Sequence, residues 1–320
     1  MMATQARTQQ APVPRRGPIA WITEPTLAGM ARRRAAMGYL FILPTILGII
    51  VFTAGPVIAS FGLSFFEWNV IDDPTWVGWR NYDTLIHDDR ALTSFVTTGK
   101  FVLLAVTLQI FISLLLAVGV QATRSQILRY VFRAAYFLPL LTSAASISIV
   151  IAYMFHQDFG VINYYLGKLG IDRVPWLNSP GWALITIVLT YVWQQIGFTF
   201  IVFLGGLAGI PADVQDAADL DGATGWRRLW DITIPMLSPT LLFALVIGVI
   251  GALQVFAEPF VMTNGGPGDA TRSVVMVIYE SAFSFLQIGY GSAIAVILFI
   301  AILLVTALQF WAGKRWVFYQ

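Results

Sequence analysis

With 320 residues, 58% of them hydrophobic, 11% charged and a mean hydropathy of +0.75, the chain is too apolar for a soluble globular protein, where about a quarter of residues are charged. The net charge of +2 carries no nucleic-acid signal, because membrane topology distributes the Lys and Arg, and the absence of cysteine excludes thiol catalysis, disulfides and thiolate metal sites. The two histidines, His87 and His156, lie far apart in sequence, so neither a zinc site nor Ser-His chemistry is expected.

Residues 1–36 are rich in Ala, Pro, Gln and Arg and read as a disordered cytoplasmic tail. Arg15-Arg16 resembles a twin-arginine signal, but no apolar core follows it closely. Arg32-Arg33-Arg34 precede the apolar run Tyr39 to Leu63 and hold its start inside the cell. That run has about 25 residues, roughly 37 Å of helix, and is expected to stay as an anchor rather than be cleaved. Glu67 to Leu92, with six acids and two bases, reads as an external loop whose Trp76, Trp79 and Tyr82 suit a membrane interface.

The second helix runs from Ser94 to Ala122, with Lys100 near its outer end, where its long stem reaches water. Arg124, Arg129 and Arg133 make the next loop cytoplasmic. Ala134 to Phe155 reads as a third helix, in which Leu138-Pro139 predicts a bend or a broken first turn. Trp182 to Gly206 is the fourth, Met236 to Phe260 the fifth and Ile288 to Ala312 the sixth. Gln157 to Pro180 and Val261 to Gln287 lie outside, and 314–320 is a short cytoplasmic tail. Thirteen of the 19 Lys and Arg fall on the inner side of this arrangement. The expected fold is therefore all-α: six transmembrane helices spanning 37–313, with both termini cytoplasmic.

One polar stretch, Pro211 to Pro239, keeps helical periodicity. Pro211 suits a helix start and Asp213 its first turn. Val214, Ala217 and Ala218 share a face, with Asp213 and Asp216 on another. Gly222 is placed to end the helix in a left-handed conformation. A second short helix follows, with Trp226, Leu229 and Trp230 opposite Arg227, Arg228 and Asp231, and Pro235 reads as the start of the fifth membrane helix.

Asp216-Ala217-Ala218, Asp221-Gly222-Ala223 and Ile234-Pro235 with Pro239 resemble the EAA signature of permease subunits in binding-protein-dependent ATP-binding-cassette importers. Asp216 stands where that family usually has Glu, which keeps the charge and shortens the reach. Trp76 to Tyr82, Gly160-Val161-Ile162-Asn163, and Thr263 to Pro267 followed by Thr271, Tyr279, Ala282 and Phe283 are similar to sugar-importer permeases of the maltose and glycerol-3-phosphate type. The resemblance implies a type I importer permease in the bacterial cytoplasmic membrane, with 211–235 as the coupling loop that docks on a cytoplasmic ATPase. Asp216, Ala217, Ala218, Asp221, Gly222, Ala223, Trp226 and Pro235 would form that contact.

The implied partners are membrane lipid, a second homologous permease, an ATPase dimer and an extracytoplasmic solute-binding protein, with no nucleic acid. ATP and magnesium would bind the ATPase, so no cofactor is expected here. Gly265-Gly266-Pro267-Gly268 lacks the Gly-Lys-Ser/Thr ending of a phosphate loop and lies on the side away from ATP.

Polar residues inside a membrane are costly, so they point to function. Gln194, Gln195 and Gln254, with Phe198 as a packing contact, are the candidates for a sugar path: amides bond hydroxyls and an aromatic face packs on a sugar ring. Interhelical hydrogen bonding is the competing explanation, and it also covers Gln109 and Gln309. Glu258, one turn beyond Gln254 on the fifth helix, reads as a solvated carboxylate near the outer end; the alternative is that it favours protonatable or cationic cargo. An ion-coupled secondary transporter is the alternative function, but it needs more intramembrane charge and usually an internal repeat. An intramembrane enzyme has no credible constellation.

Overall fold

The computed structural model describes residues 27–123 and 125–318. Arg15-Arg16 and Arg124 lie outside them. The described residues divide into two compact units, one ending at Ala59 and one beginning at Ser60. Helix α1 (Leu27–Ile49) begins within the expected tail, so Arg32-Arg33-Arg34 sit on a helix. It passes through a π turn, Ile50–Ala54, into α2 (Gly55–Leu63). The turn has a local cause. Pro56 has no N–H and its ring crowds the carbonyl four residues back, and the wider turn gives it room. Within the most apolar window of Met30–Leu63 no residue is buried.

In the second unit, a short antiparallel hairpin pairs β1 (Phe66–Glu67) with β2 (Thr75–Trp76). Asn81, on α3 (Arg80–Ile86), donates to the carbonyls of Ser64 and Phe66, both at 2.9 Å, and so pins this hairpin. Asp88 caps α4 (Asp89–Ala122) and also accepts from the Tyr290 hydroxyl at 2.6 Å.

The expected third helix is not one helix. Amphipathic α5 (Gln126–Phe137) leads into a 3₁₀ turn at Leu138–Leu141, and α6 (Ala144–Met154) leaves at 100° to it. Pro139 sits in the 3₁₀ turn, where its missing donor does least harm. Outside, α7 (Val161–Lys168) carries Asn163, which donates to Gln157 and Val174 and accepts from the Trp176 indole at 2.9 Å.

Helix α8 (Pro180–Ala208) packs most extensively on α4. Gly197 permits its approach to the end of α5: a Cβ there would stand 2.3 Å from the Tyr136 carbonyl oxygen. Then come α9 (Ala212–Leu220), α10 (Gly225–Arg228), a π turn at Leu229–Thr233 and α11 (Ile234–Leu253). The second π turn again precedes a proline, Pro235. Because it widens the helix without ending it, Gly225–Leu253 is one helical run of 29 residues, not a short helix followed by a separate membrane helix.

The expected fifth helix stops early. It breaks after Leu253, and α12 (Ala257–Thr263) is a separate short helix ended by Asn264 at φ +48°. What was expected as an external loop holds α13 (Val274–Tyr279) and a π turn, Glu280–Ser284, with Val274 and Met276 fully buried. Helix α14 (Ile288–Gly313) completes the unit. Among the described residues five helices are long and apolar enough to span a membrane, or six if the bent pair counts as one span.

Three clusters form the core of the described residues: Leu85, Ala91, Val274, Val277, Ile294 and Leu298 make one, and two others join α4, α8 and α11. Phe101, Val106, Ile187, Tyr191 and Val249 join α4, α8 and α11 in one. Ala117, Phe200, Phe203 and Leu237 join the same three helices in the other.

Candidate functional site

The 211–235 loop is a rigid wedge. Asp221 ends α9, Gly222 follows at φ +66°, and two reversed hydrogen bonds close the turn: Gly222 N–H donates to Asp219 at 3.2 Å and Ala223 N–H to Ala218 at 2.9 Å. This is the Schellman arrangement, completed by the buried pair Ala218 and Ala223. Arg228 donates to Asp219 at 2.6 Å and joins the two arms. Ala218 is thus spent inside the loop, while Asp216, Ala217 and Asp221 remain exposed. Leu220 is 90% exposed near the turn, and Trp226 at 68% and Trp230 at 60% are exposed on the second arm. Exposed apolar side chains with carboxylates on the same loop are of the kind that suits protein docking.

The second feature is a cavity of about 400 Å³ among α4, α6, α8, α11 and α12, lined by Gln109, Ala144, Tyr191, Gln195, Phe198, Gly251, Gln254 and Glu258 among others. Gln254 is the residue at the break after α11, so its exposed side chain sits at a helix end and not on a continuing face. Glu258 is buried, at 4% exposure, which corrects the solvated carboxylate expected from sequence. The break separates it from Gln254, and α12 folds back against α6 and α8. Gln109 is equally buried: its amide nitrogen donates to Thr199 Oγ1 at 2.7 Å, and its Oε1 has no hydrogen-bond partner among the described residues.

On the outer side, Arg272, 8% exposed, pairs with Asp269 and Glu280, and Arg90 bridges the same two acids from α4. Arg272 also donates to the Asn264 carbonyl, which fixes the Thr263 to Pro267 turn against α13.

Residues 109–317 match the family described as binding-protein-dependent transport system inner membrane component. The sulfoquinovosyl glycerol transport system permease protein of Agrobacterium fabrum is 36% identical over 72% of this chain and 75% of its own length. The trehalose/maltose transport system permease protein of Thermococcus litoralis is 32% identical over 88% of this chain and 95% of its own. The fold matches a bacterial ABC transporter involved in import of the acidic polysaccharide alginate, with TM-score 0.79 and 23% identity over 89% of this chain and 98% of that one. The chain belongs to the binding-protein-dependent permease family.

As a permease of that family it is a multi-pass inner-membrane protein and the transmembrane part of an ABC importer. Of the four residues expected in its path, the structure gathers Gln195, Phe198 and Gln254 around one cavity. Gln194 is elsewhere: it is buried, and its amide donates to the Thr142 carbonyl at 3.0 Å, a group left free by the break before α6. Sequence reasoning missed Leu220, Asp219 with Arg228, and the Arg272 network. Leu220 was legible as a leucine flanked on both sides by aspartates, Asp219 and Asp221. Arg272 had no signal, because its partners come from three separate elements.

Proposed function

We propose that this permease forms half of the translocation path for a sugar or related polyol, and that 211–235 couples this path to an ATPase. The other half would come from a second homologous permease. An ATPase dimer would bind ATP and magnesium, and an extracytoplasmic binding protein would deliver the cargo. The observation that carries the reading is continuity. Gly225–Leu253 runs from the wedge to Gly248 and Gly251 in the cavity wall without a break, so a displacement of the wedge displaces the wall. Closure of the ATPase pair would push the exposed loop residues Leu220, Trp226, Trp230, Asp216, Ala217 and Asp221, and exchange inward-open and outward-open states. Gln195, Gln254 and Phe198 then face the cargo, with amides for its hydroxyls and a ring for its apolar face.

Sugar cargo is supported by the relatives, whose names concern trehalose/maltose and lactose transport among others. The test is purification of the tagged native protein in mild detergent, with its companions identified by mass spectrometry. A Walker-motif ATPase and a second permease are expected. A lone or homodimeric protein that takes up solute on an ion gradient would overturn the reading.

A further inference from the structure

We propose that a second cavity, on the outer side of the permease, is a saccharide-binding vestibule. The proposal rests on the sugar-path reading above and adds a site to that path. This cavity, of about 670 Å³, lies between the end of α6 with the segment after it and the Thr263 to Pro267 turn. Tyr153, His156 and Phe159 contribute rings to its lining, and Gln157, Asn178 and Asn264 contribute amides. No Asp, Glu, Lys or Arg lines it. Tyr153 and Phe159 are both exposed, as are Asn178 and Asn264.

The rings are held in place by their neighbours. His156 stacks on Phe159 with centroids 3.6 Å apart and planes 13° apart, and the Tyr153 ring stands 6.0 Å from Phe159. The Asp158 N–H donates to His156 Nδ1 at 3.2 Å and fixes the imidazole. Beside them, the Asn178 side-chain amide donates to Gln157 Oε1 at 2.8 Å. That bond leaves the Gln157 amide nitrogen and the Asn178 side-chain oxygen without a partner among the described residues, so a donor and an acceptor stand together. Adjacent hydroxyls of a sugar ring match such a pair, and exposed aromatic faces pack on the ring's C–H face. An ionised solute finds no carboxylate, ammonium or guanidinium to pair with, and an apolar one leaves the amides unmatched. The opposite wall is also preformed, because Arg272 holds the turn through the Asn264 carbonyl.

The same two helices reach the membrane cavity. Ala144, at the start of α6, and Glu258, near the start of α12, line that cavity, whereas Tyr153 and Met262, near the ends of the two helices, line the vestibule. Along α6 the two sites are about 14 Å apart, at about 1.5 Å of rise per residue. The vestibule therefore stands one short helix away from the candidate path, on the side from which cargo arrives.

The test uses the assembled transporter in nanodiscs without nucleotide or binding protein, which leaves the outer face uncovered. It is photolabelled with diazirine derivatives of maltose, trehalose and lactose, and the label is mapped by peptide mass spectrometry. Label is expected within 152–159 and 261–267, displaced by an excess of the parent sugar. Tyr153→Ala combined with Phe159→Ala should lower that label at least about fivefold and leave any label at 195–198 and 254–258 within about twofold. Label confined to the membrane cavity, as when the rings serve only to meet lipid headgroups, overturns the vestibule and leaves the sugar path standing. Outer label that the parent sugar does not displace, or that the double variant leaves unchanged, does the same. Label at neither site with any of the three sugars overturns the sugar path as well. If the double variant fails to assemble, Asn178→Ala decides: a several-fold loss of outer label supports the vestibule, and unchanged label refutes it.

Discussion

Replacing Gly222 with valine isolates the contribution of one backbone conformation to coupling. At φ +66° no atom lies within 4 Å of the position a Cβ would take, so valine meets no clash within the chain. The penalty is conformational: about 1–2 kcal/mol for an L residue in the left-handed region, with a β-branched side chain at the upper end. Leaving that region forfeits the two closing bonds, Gly222 to Asp219 and Ala223 to Ala218, each worth about 1 kcal/mol. The two costs nearly match, so the valine loop divides between turn geometries while the membrane helices stay folded. A shift of about 1.4 kcal/mol away from the docking geometry corresponds to about tenfold fewer correctly docked loops. In proteoliposomes holding the whole transporter, Gly222→Val should hydrolyse ATP and assemble normally but move several-fold less solute per ATP. Gly222→Asn, whose side chain tolerates the left-handed region, should keep most of the coupling. A wild-type ratio for valine, or equal damage by asparagine, would refute the argument. The second result would place the cause in crowding against the ATPase.

Three further outcomes are expected. Gln194→Leu leaves the Thr142 carbonyl unpaired and should lower stability by about 1–3 kcal/mol, seen as a lower melting temperature with sugar affinity intact. Gln254→Ala should do the reverse, and an affinity loss confined to Gln194→Leu would contradict both assignments. Arg272→Met leaves Asp269 and Glu280 to Arg90 alone; a cost of about 3 kcal/mol is expected, with faster proteolysis within 264–284. An unchanged melting temperature would show that Arg90 suffices. The Asp219–Arg228 pair is partly exposed, so Arg228→Asp should cost less than about 1 kcal/mol of stability yet weaken coupling. The exchange Asp219→Arg with Arg228→Asp should restore coupling, and its failure to do so would argue that Arg228 contacts the ATPase instead.

Long apolar runs and the sidedness of Lys and Arg settled the class of this protein, because a bilayer admits only chain segments that satisfy their own backbone. The wedge was also legible, since Gly222 ends a helix by a rule that operates within a few residues. What sequence could not supply was the way neighbouring helices repair one another. Pro139 predicted a disturbance, but the right-angled break it became depends on Gly197 admitting the α5 backbone and on Gln194 satisfying Thr142, both from a helix some fifty residues away. For the same reason Gln194 and Gln195 look alike in sequence and differ in role. One turns into a neighbouring backbone and the other into the cavity. Glu258 read as solvated because an unbroken fifth helix would have carried it outward. The break after Leu253 folds it back beside Gln109, Tyr191 and Gln254. Local rules fixed the class of the protein, and side chains meeting across long sequence separations decided which polar groups line the cavity.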